Sequence, residues 1–284
     1  MERFFYNELI NFSSPSQYNS ESPEANIIVG FDELCELKAV KNIKRLIISG
    51  GNAECADFSS LYMHSEIKAL MLDYYETEAI GKWSIDLSNF CHLELLVSNS
   101  SMNYSNINNA KTLKALLVKR WYNIDLSCIA EIPIESLVIS NGLSCFGKYD
   151  NSHLKSMSIS YSSLKKIAPI SLLNNLEVLE LDHCSKIEDW NHVQSSSLKV
   201  LLALGNNHIN SLSFIKMLPK LSSLVFEGTI DDCDISCAKR LKRCFIKPHK
   251  KQYNCKRSEL NSNPMIKTSI DIESNIDYFK NRNI

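Results

Sequence analysis

The side chains of this sequence that could do chemistry gather near two points. Asp182 beside His183 brings a carboxylate to an imidazole, the pair that acid–base catalysis or a metal site draws on. Cys233-x₃-Cys237, with Cys244, His249 and Cys255, has enough ligands for zinc and enough thiols for two disulfides. Overlapping it, Asp231-Asp232-Cys233-Asp234 concentrates carboxylates that could face a cation. None of these completes a site. Adjacent strand residues point to opposite sides, and no third ligand follows Asp182 and His183 at a matching spacing. The acidic run lacks the glycine and glutamate of a calcium loop, so it reads as a solvated turn. For the cysteines, free thiols, zinc and disulfides all remain open, and free thiols are the reading adopted. G-x-S-x-G, H-E-x-x-H and G-x-x-x-x-G-K-[ST] do not occur in the chain. The sequence therefore assigns no catalytic residue, no metal ligand and no cofactor, and a non-enzyme is expected.

What would position any site is a repeated hydrophobic word. Leu176-Glu-Val-Leu179-Glu-Leu181 recurs as Leu198-Lys-Val-Leu201-Leu-Ala203 and Leu221-Ser-Ser-Leu224-Val-Phe226, with starts 22 and 23 residues apart. Apolar residues at word positions 1, 4 and 6 trace earlier copies at Ile43/Leu46/Ile48, Ile67/Leu70/Leu72, Leu93/Leu96/Ser98, Leu113/Leu116/Val118, Ile134/Leu137/Ile139 and Leu154/Met157/Ile159. A further copy is Leu241/Cys244/Ile246, and the third is the weakest because Ser98 takes a core position. Positions 4 and 6 share one side of a short strand because side chains alternate. One copy cannot bury its leucines, so neighbours must stack and pair in parallel. The return half carries Ile209, Leu212, Ile215 and Leu218, a period of three that predicts 3₁₀ turns, which Pro219 ends.

The L-x-x-L-x-L word, with Cys184, Asn206 or Thr229 three residues beyond it, resembles the leucine-rich repeat family in its short-repeat classes, internalin-like or phosphatase-regulator-like. The resemblance implies an α/β solenoid with a curved parallel sheet on its concave face and short helical or 3₁₀ turns on the convex face. It covers about residues 43–249, some ten copies, between an N-terminal cap at 1–42 and a C-terminal cap or tail at 250–284. In the cap, Ile27–Phe31 is expected as a strand, and Asp32, Leu34, Leu37 and Val40 as a capped helical segment. After the basic stretch Lys247–Lys251, Ile266, Thr268, Ile270 and Ile272 alternate as an added closing strand would. The family places asparagine at word position 9 to satisfy backbone groups. Here Asn206 and Cys184 suit that role, while Gly51, Tyr75, Ser101, Trp121, Gly142, Ser162, Thr229 and His249 depart from it, so less regular turns are expected.

Thirty-one basic and 32 acidic residues leave a net charge of −1, which drives the chain onto neither nucleic acid nor an anionic membrane. The opening Met1-Glu-Arg-Phe-Phe-Tyr-Asn-Glu has no apolar run of signal-peptide type, and no segment approaches roughly 18 apolar residues, so a cytoplasmic location is expected. Cys35, Cys55, Cys91, Cys128, Cys145 and Cys184 are expected as reduced thiols in the core.

Outward strand positions and the strand exits give the site map. It comprises Met71, Asp73, Tyr74 and Tyr75, then Asn99, then Lys119, Arg120, Trp121 and Tyr122, then Asn141, Tyr161, Glu180, Asp182 and His183. Aromatics and arginine concentrate at the centres of protein interfaces, and the mixed charge suits a protein surface rather than a phosphate track. The expected function is a non-catalytic scaffold that binds another protein, as an inhibitor or an immunity protein neutralising a toxin. Alternatives are a regulatory or targeting subunit of an enzyme and, less favoured, an extracellular adhesion module.

Overall fold

The computed structural model describes residues 13–17, 25–52, 56–73, 84–98, 103–119, 126–147, 149–167, 175–188 and 190–260. The chain forms two compact units, whose described residues are 13–119 with 131–134, and 126–130 with 135–260.

In the first unit, strands β1 (Ala25–Val29), β2 (Ile43–Ser49), β3 (Ala69–Asp73), β5 (Leu95–Ser98) and β7 (Ala115–Lys119) lie side by side in that order. Every pairing is parallel, and equal word positions face each other: Leu46 pairs with Leu70, Leu70 with Leu96 and Leu96 with Leu116. β4 (Ser84–Asp86) and β6 (Asn103–Ser105) form a separate parallel pair. β1 begins two residues before the expected strand and pairs in register with β2, so Ile27 and Val29 take word positions 4 and 6. The helical segment after it is a 3₁₀ helix, Phe31–Ala39, which buries Phe31, Leu34 and Leu37 at its period of three.

The second unit repeats the arrangement with β8 (Ser136–Ser140), β9 (Ser156–Ser160), β10 (Val178–Asp182), β11 (Val200–Ile209), β12 (Ser223–Ile230) and β13 (Arg243–Lys247), again all parallel. In both units word positions 1, 4 and 6 of every traced copy are at most 3 % exposed. That includes Ser98, which lies against the buried Tyr104 and keeps its register between Leu72 and Val118. Neighbouring copies fix the depth of a strand even where one side chain is wrong for the core.

The return halves are short 3₁₀ turns, among them Phe58–Met63, Leu87–Asn89, Leu212–Met217 and Ser236–Arg240. Three open with an acid–apolar–serine triplet that the repeat word does not include. The Ser59, Ser88 and Ser236 backbone N–H groups donate to Asp57, Asp86 and Asp234, each at 2.9 Å, and Ser211 accepts from Ser213 N–H in the same way. This satisfies donors that a 3₁₀ start leaves open, while the apolar residue between, such as Leu87 or Leu212, goes to the core. At the far end of the second unit, the Arg240 guanidinium donates to the carbonyls of Ile215 (2.6 Å), Leu218 (3.0 Å) and Leu221 (3.3 Å). Part of the basic C-terminal stretch therefore closes the preceding turn.

The cysteines are less uniform than expected. Cys184 is buried, but Cys35, Cys91 and Cys145 are exposed and Cys128 is half-buried, because they fall in turns and not at core positions of the word. Cys55 lies outside the described residues. Cys184, Cys233, Cys237, Cys244 and Cys255 are free thiols. Burial pushes the Cys184 thiol up to about 11 and Cys244 up to about 12, so both stay protonated.

Candidate functional site: the strand exits and the outward sheet face

At word position 8 each repeat must turn off the strand and away from its neighbour's path. Gly50, Asn141, Tyr161, His183 and Gly205 take left-handed backbone there, with φ of 76°, 59°, 52°, 51° and 75°. The sheet ladder continues through them: Asn141, Tyr161 and His183 N–H donate to the Ser160, Asp182 and Leu204 carbonyls at 2.8–3.0 Å. Glycine and asparagine tolerate this conformation, whereas tyrosine and histidine pay on the order of 1–2 kcal/mol for it. What they gain is contact. The Tyr161 and His183 rings stack at 4.7 Å with 12° between their planes, and His183 Nδ1 lies 2.7 Å from Asp182 Oδ1. Tyr161 remains 56 % exposed, one of the few large apolar surfaces open to water among the described residues.

The pairing of Asp182 with His183 corrects the expectation that their side chains diverge. β10 ends at Asp182, and the left-handed turn at His183 brings its ring back over the carboxylate. The next copy leaves room for that ring because it has glycine: a Cβ on Gly205 would lie 2.9–3.0 Å from the His183 imidazole. The Gly205 N–H donates to Glu227 Oε2 at 3.2 Å, and Glu227 lies 3.6 Å from Lys247.

Position 9 turns inward. Ser162 Oγ donates to the Leu143 carbonyl at 2.6 Å, and the Cys184 thiol reaches the Ile159 and Asp182 carbonyls, both at 3.5 Å. In the following copy the residue that fills this role is Asn207 and not Asn206. A shift of register between Ala203 and Asn207 gives β11 two more residues than β12 at the exit, Asn206 turns to solvent, and the buried Asn207 Nδ2 donates to the Leu204 (3.2 Å) and Glu227 (3.0 Å) carbonyls.

Of the sequence-derived site residues, Tyr161, Asp182 and His183 come together, with Asn141 one copy away. Glu180 lies on the outward face of β10 but is buried, and accepts from Ser158 Oγ at 3.2 Å. Met71 and Asp73 are likewise outward and buried, Asp73 accepting from Ser49 Oγ at 3.4 Å. Lys119 is half-buried at the end of β7. Tyr74, Tyr75, Asn99, Arg120, Trp121 and Tyr122 lie outside the described residues. A feature the word-based reading missed is an apolar row at outward position 5. It runs through Ile47, Met71, Val97 and Leu117 in the first unit and through Leu202 and Val225 in the second. The signal was present, since position 5 is apolar in most copies.

The terminal cysteines do not converge on one point. Cys233 and Cys237 donate to the separate carbonyls of Ile230 and Leu212, and Cys255 to Asn254 Oδ1. The acidic run is a capped turn: Asp234 Oδ1 accepts from Ser236 N–H, Ser236 Oγ and Asn254 Nδ2, and Asp231 faces His208 Nε2 at 2.8 Å.

Stacked parallel strands with one inward leucine pattern and 3₁₀ returns give the chain the fold of a leucine-rich repeat solenoid. Among solved structures it is similar to an internalin, InlF, from Listeria monocytogenes str. 4b F2365, at 18 % identity and a TM-score of 0.51 over 77 % of this chain and 72 % of that one. It also matches the functional domain of InlJ from Listeria monocytogenes, at 14 % identity and a TM-score of 0.31 over 78 % of this chain and 61 % of that one. No family model matches the sequence, and no curated protein does.

Proposed function

We propose that this protein is a non-catalytic scaffold that binds another protein through its outward sheet face and strand exits, and that it acts in the cytoplasm as an inhibitor, such as an immunity protein that neutralises a toxin. The observation that carries the reading is the Tyr161–His183–Asp182 group. Two bulky rings are held in a backbone conformation that disfavours them, stacked on each other and left open to solvent. Strain of this kind is retained where a surface must be pre-organised. A rigid aromatic face beside a carboxylate suits an arginine or aromatic anchor on a partner, and a preformed surface lowers the ordering cost of tight binding. Free thiols at exposed Cys35, Cys91 and Cys145 suit a reducing compartment. No helix among the described residues is long and apolar enough to cross a membrane.

The test is affinity capture from lysate of the source cell with the intact chain and with a Tyr161→Ala/His183→Ala variant, followed by activity assay of the captured partner. Binding weakened by on the order of 2 kcal/mol, roughly thirtyfold, is expected for central contacts. Stoichiometric loss of the partner's activity would support inhibition, whereas an undiminished activity in the complex would refute it. Equal capture by both chains would refute the exits as the binding surface.

A further inference from the structure

The second unit holds a cleft of about 510 Å³ formed by three successive copies. Lys165 comes from the return after β9, Lys186 and Glu188 from the return after β10, and His208 and Asn210 from the end of β11. Its walls are tied to the frame. The Glu188 N–H donates to the Lys165 carbonyl at 3.0 Å, and Ile187, between the two charged residues of the middle wall, is buried. On β11, His208 Nε2 lies 2.8 Å from both carboxylate oxygens of Asp231.

The charges in this cleft do not cancel. Lys155 and Lys199, at word position 2, each lie 2.7 Å from a glutamate of the preceding copy, Glu135 and Glu177. Lys165 and Lys186 meet no acid among the described residues, although Glu188 lines the same cleft. Asp231 is engaged by His208, so two exposed ammonium groups stand against one carboxylate. Ser185 and Asn210 add uncharged donors. An excess of one positive charge matches a carboxylate, whereas a phosphate group carries about −1.5 to −2 at pH 7. The lysines are point charges, and no arginine fork lines the cleft among the described residues. Every charged wall residue is exposed, which suits a side chain presented from outside better than a small molecule that must be enclosed.

We propose that this cleft receives an acidic segment of the partner protein, with an aspartate or glutamate side chain held by Lys165 and Lys186. Lys165 follows Tyr161 by four residues and Ser185 follows His183 by two, so the cleft continues the strand exits that carry the stacked rings. The inference rests on the protein-binding role proposed above and adds the charge of the partner's contact. Complementary charge of this kind sets orientation and partner choice more than raw affinity.

The test is an NMR titration of the isotope-labelled full-length chain at low salt with acetyl-Ala-Glu-Glu-Glu-Ala-amide, with the same peptide carrying glutamine for glutamate, and with inorganic phosphate. Saturable shifts from the acidic peptide at residues 185–188 and 208–210, with none from the glutamine peptide, are expected. Lys165→Gln/Lys186→Gln should weaken this binding roughly tenfold, about what two exposed ion pairs supply, while Lys165→Arg/Lys186→Arg should retain it. No shift, equal shifts from both peptides, or equal shifts at the other basic stretch, residues 247–257, would overturn the proposal. Phosphate binding tighter than the acidic peptide would overturn the choice of a carboxylate. The titration needs no partner, so its failure leaves the capture result for Tyr161 and His183 standing, and failure of that capture leaves the titration standing.

Discussion

Gly205→Ala tests whether the rings at the strand exits are held by the geometry described. Alanine at φ 75° takes on left-handed strain of about 1–2 kcal/mol. Its Cβ would also sit 2.9 Å from His183 Cγ, at the root of the ring, so the imidazole must rotate away as a whole. Rotation ends the 4.7 Å stack on Tyr161, a contact of about 0.5–1.5 kcal/mol. It also breaks the pairing with Asp182, which at this exposure adds little. The expected loss is about 2–3 kcal/mol. In a His183→Ala background the ring is already gone, so Gly205→Ala should cost only the backbone strain. A double-mutant cycle by urea unfolding should therefore return a coupling of about 0.5–1.5 kcal/mol between the two sites. Coupling below about 0.3 kcal/mol, or a Gly205→Ala chain as stable as the parent, would refute the reasoning.

Tyr161→Gly should remove left-handed strain of about 1–2 kcal/mol and lose part of it again with the stack, so unfolding midpoints should stay level or rise while partner binding falls. A large drop in the midpoint would place Tyr161 in the core of stability instead. Asp234 is held down to about 2 by Ser236 Oγ first, then by Ser236 N–H and Asn254. A carboxylate depressed in the folded state contributes stability above its unfolded value near 3.8, and loses it as pH falls towards about 2. Asp57, lowered chiefly by the Ser59 N–H, and Asp86, lowered chiefly by the Ser88 hydroxyl, act with the same sign. Acid unfolding should thus be shallower in Asp234→Asn than in the parent between pH 4 and about 2, and parallel acid limbs would count against the capped turn.

How much was legible in the sequence follows from which distances along the chain decide each feature. The inward leucines, the parallel pairing of like with like, and the 3₁₀ returns at Leu212, Ile215 and Leu218 rest on periods of two and three, set by backbone geometry within a few residues. Even Ser98 could not disturb them, because copies on either side hold its strand in register. The acid–apolar–serine triplets at Asp57, Asp86 and Asp234 are equally local, and were overlooked because the leucine word does not contain them.

Only the tertiary structure decided the rest. Tyr161 and His183 are 22 residues apart in sequence and meet because successive copies stack, and His183 turns towards Asp182 because the strand ends between them. Asn207 replaces Asn206 as the inward asparagine because β11 shifts register against β12, a step seen only once the two strands are paired. The same holds for outward Met71 and Glu180: alternation fixes the face each side chain takes, but its burial is settled by neighbouring strands and by whatever lies over them. Inward positions of a solenoid are specified by local period, whereas outward ones depend on contacts that no local pattern encodes.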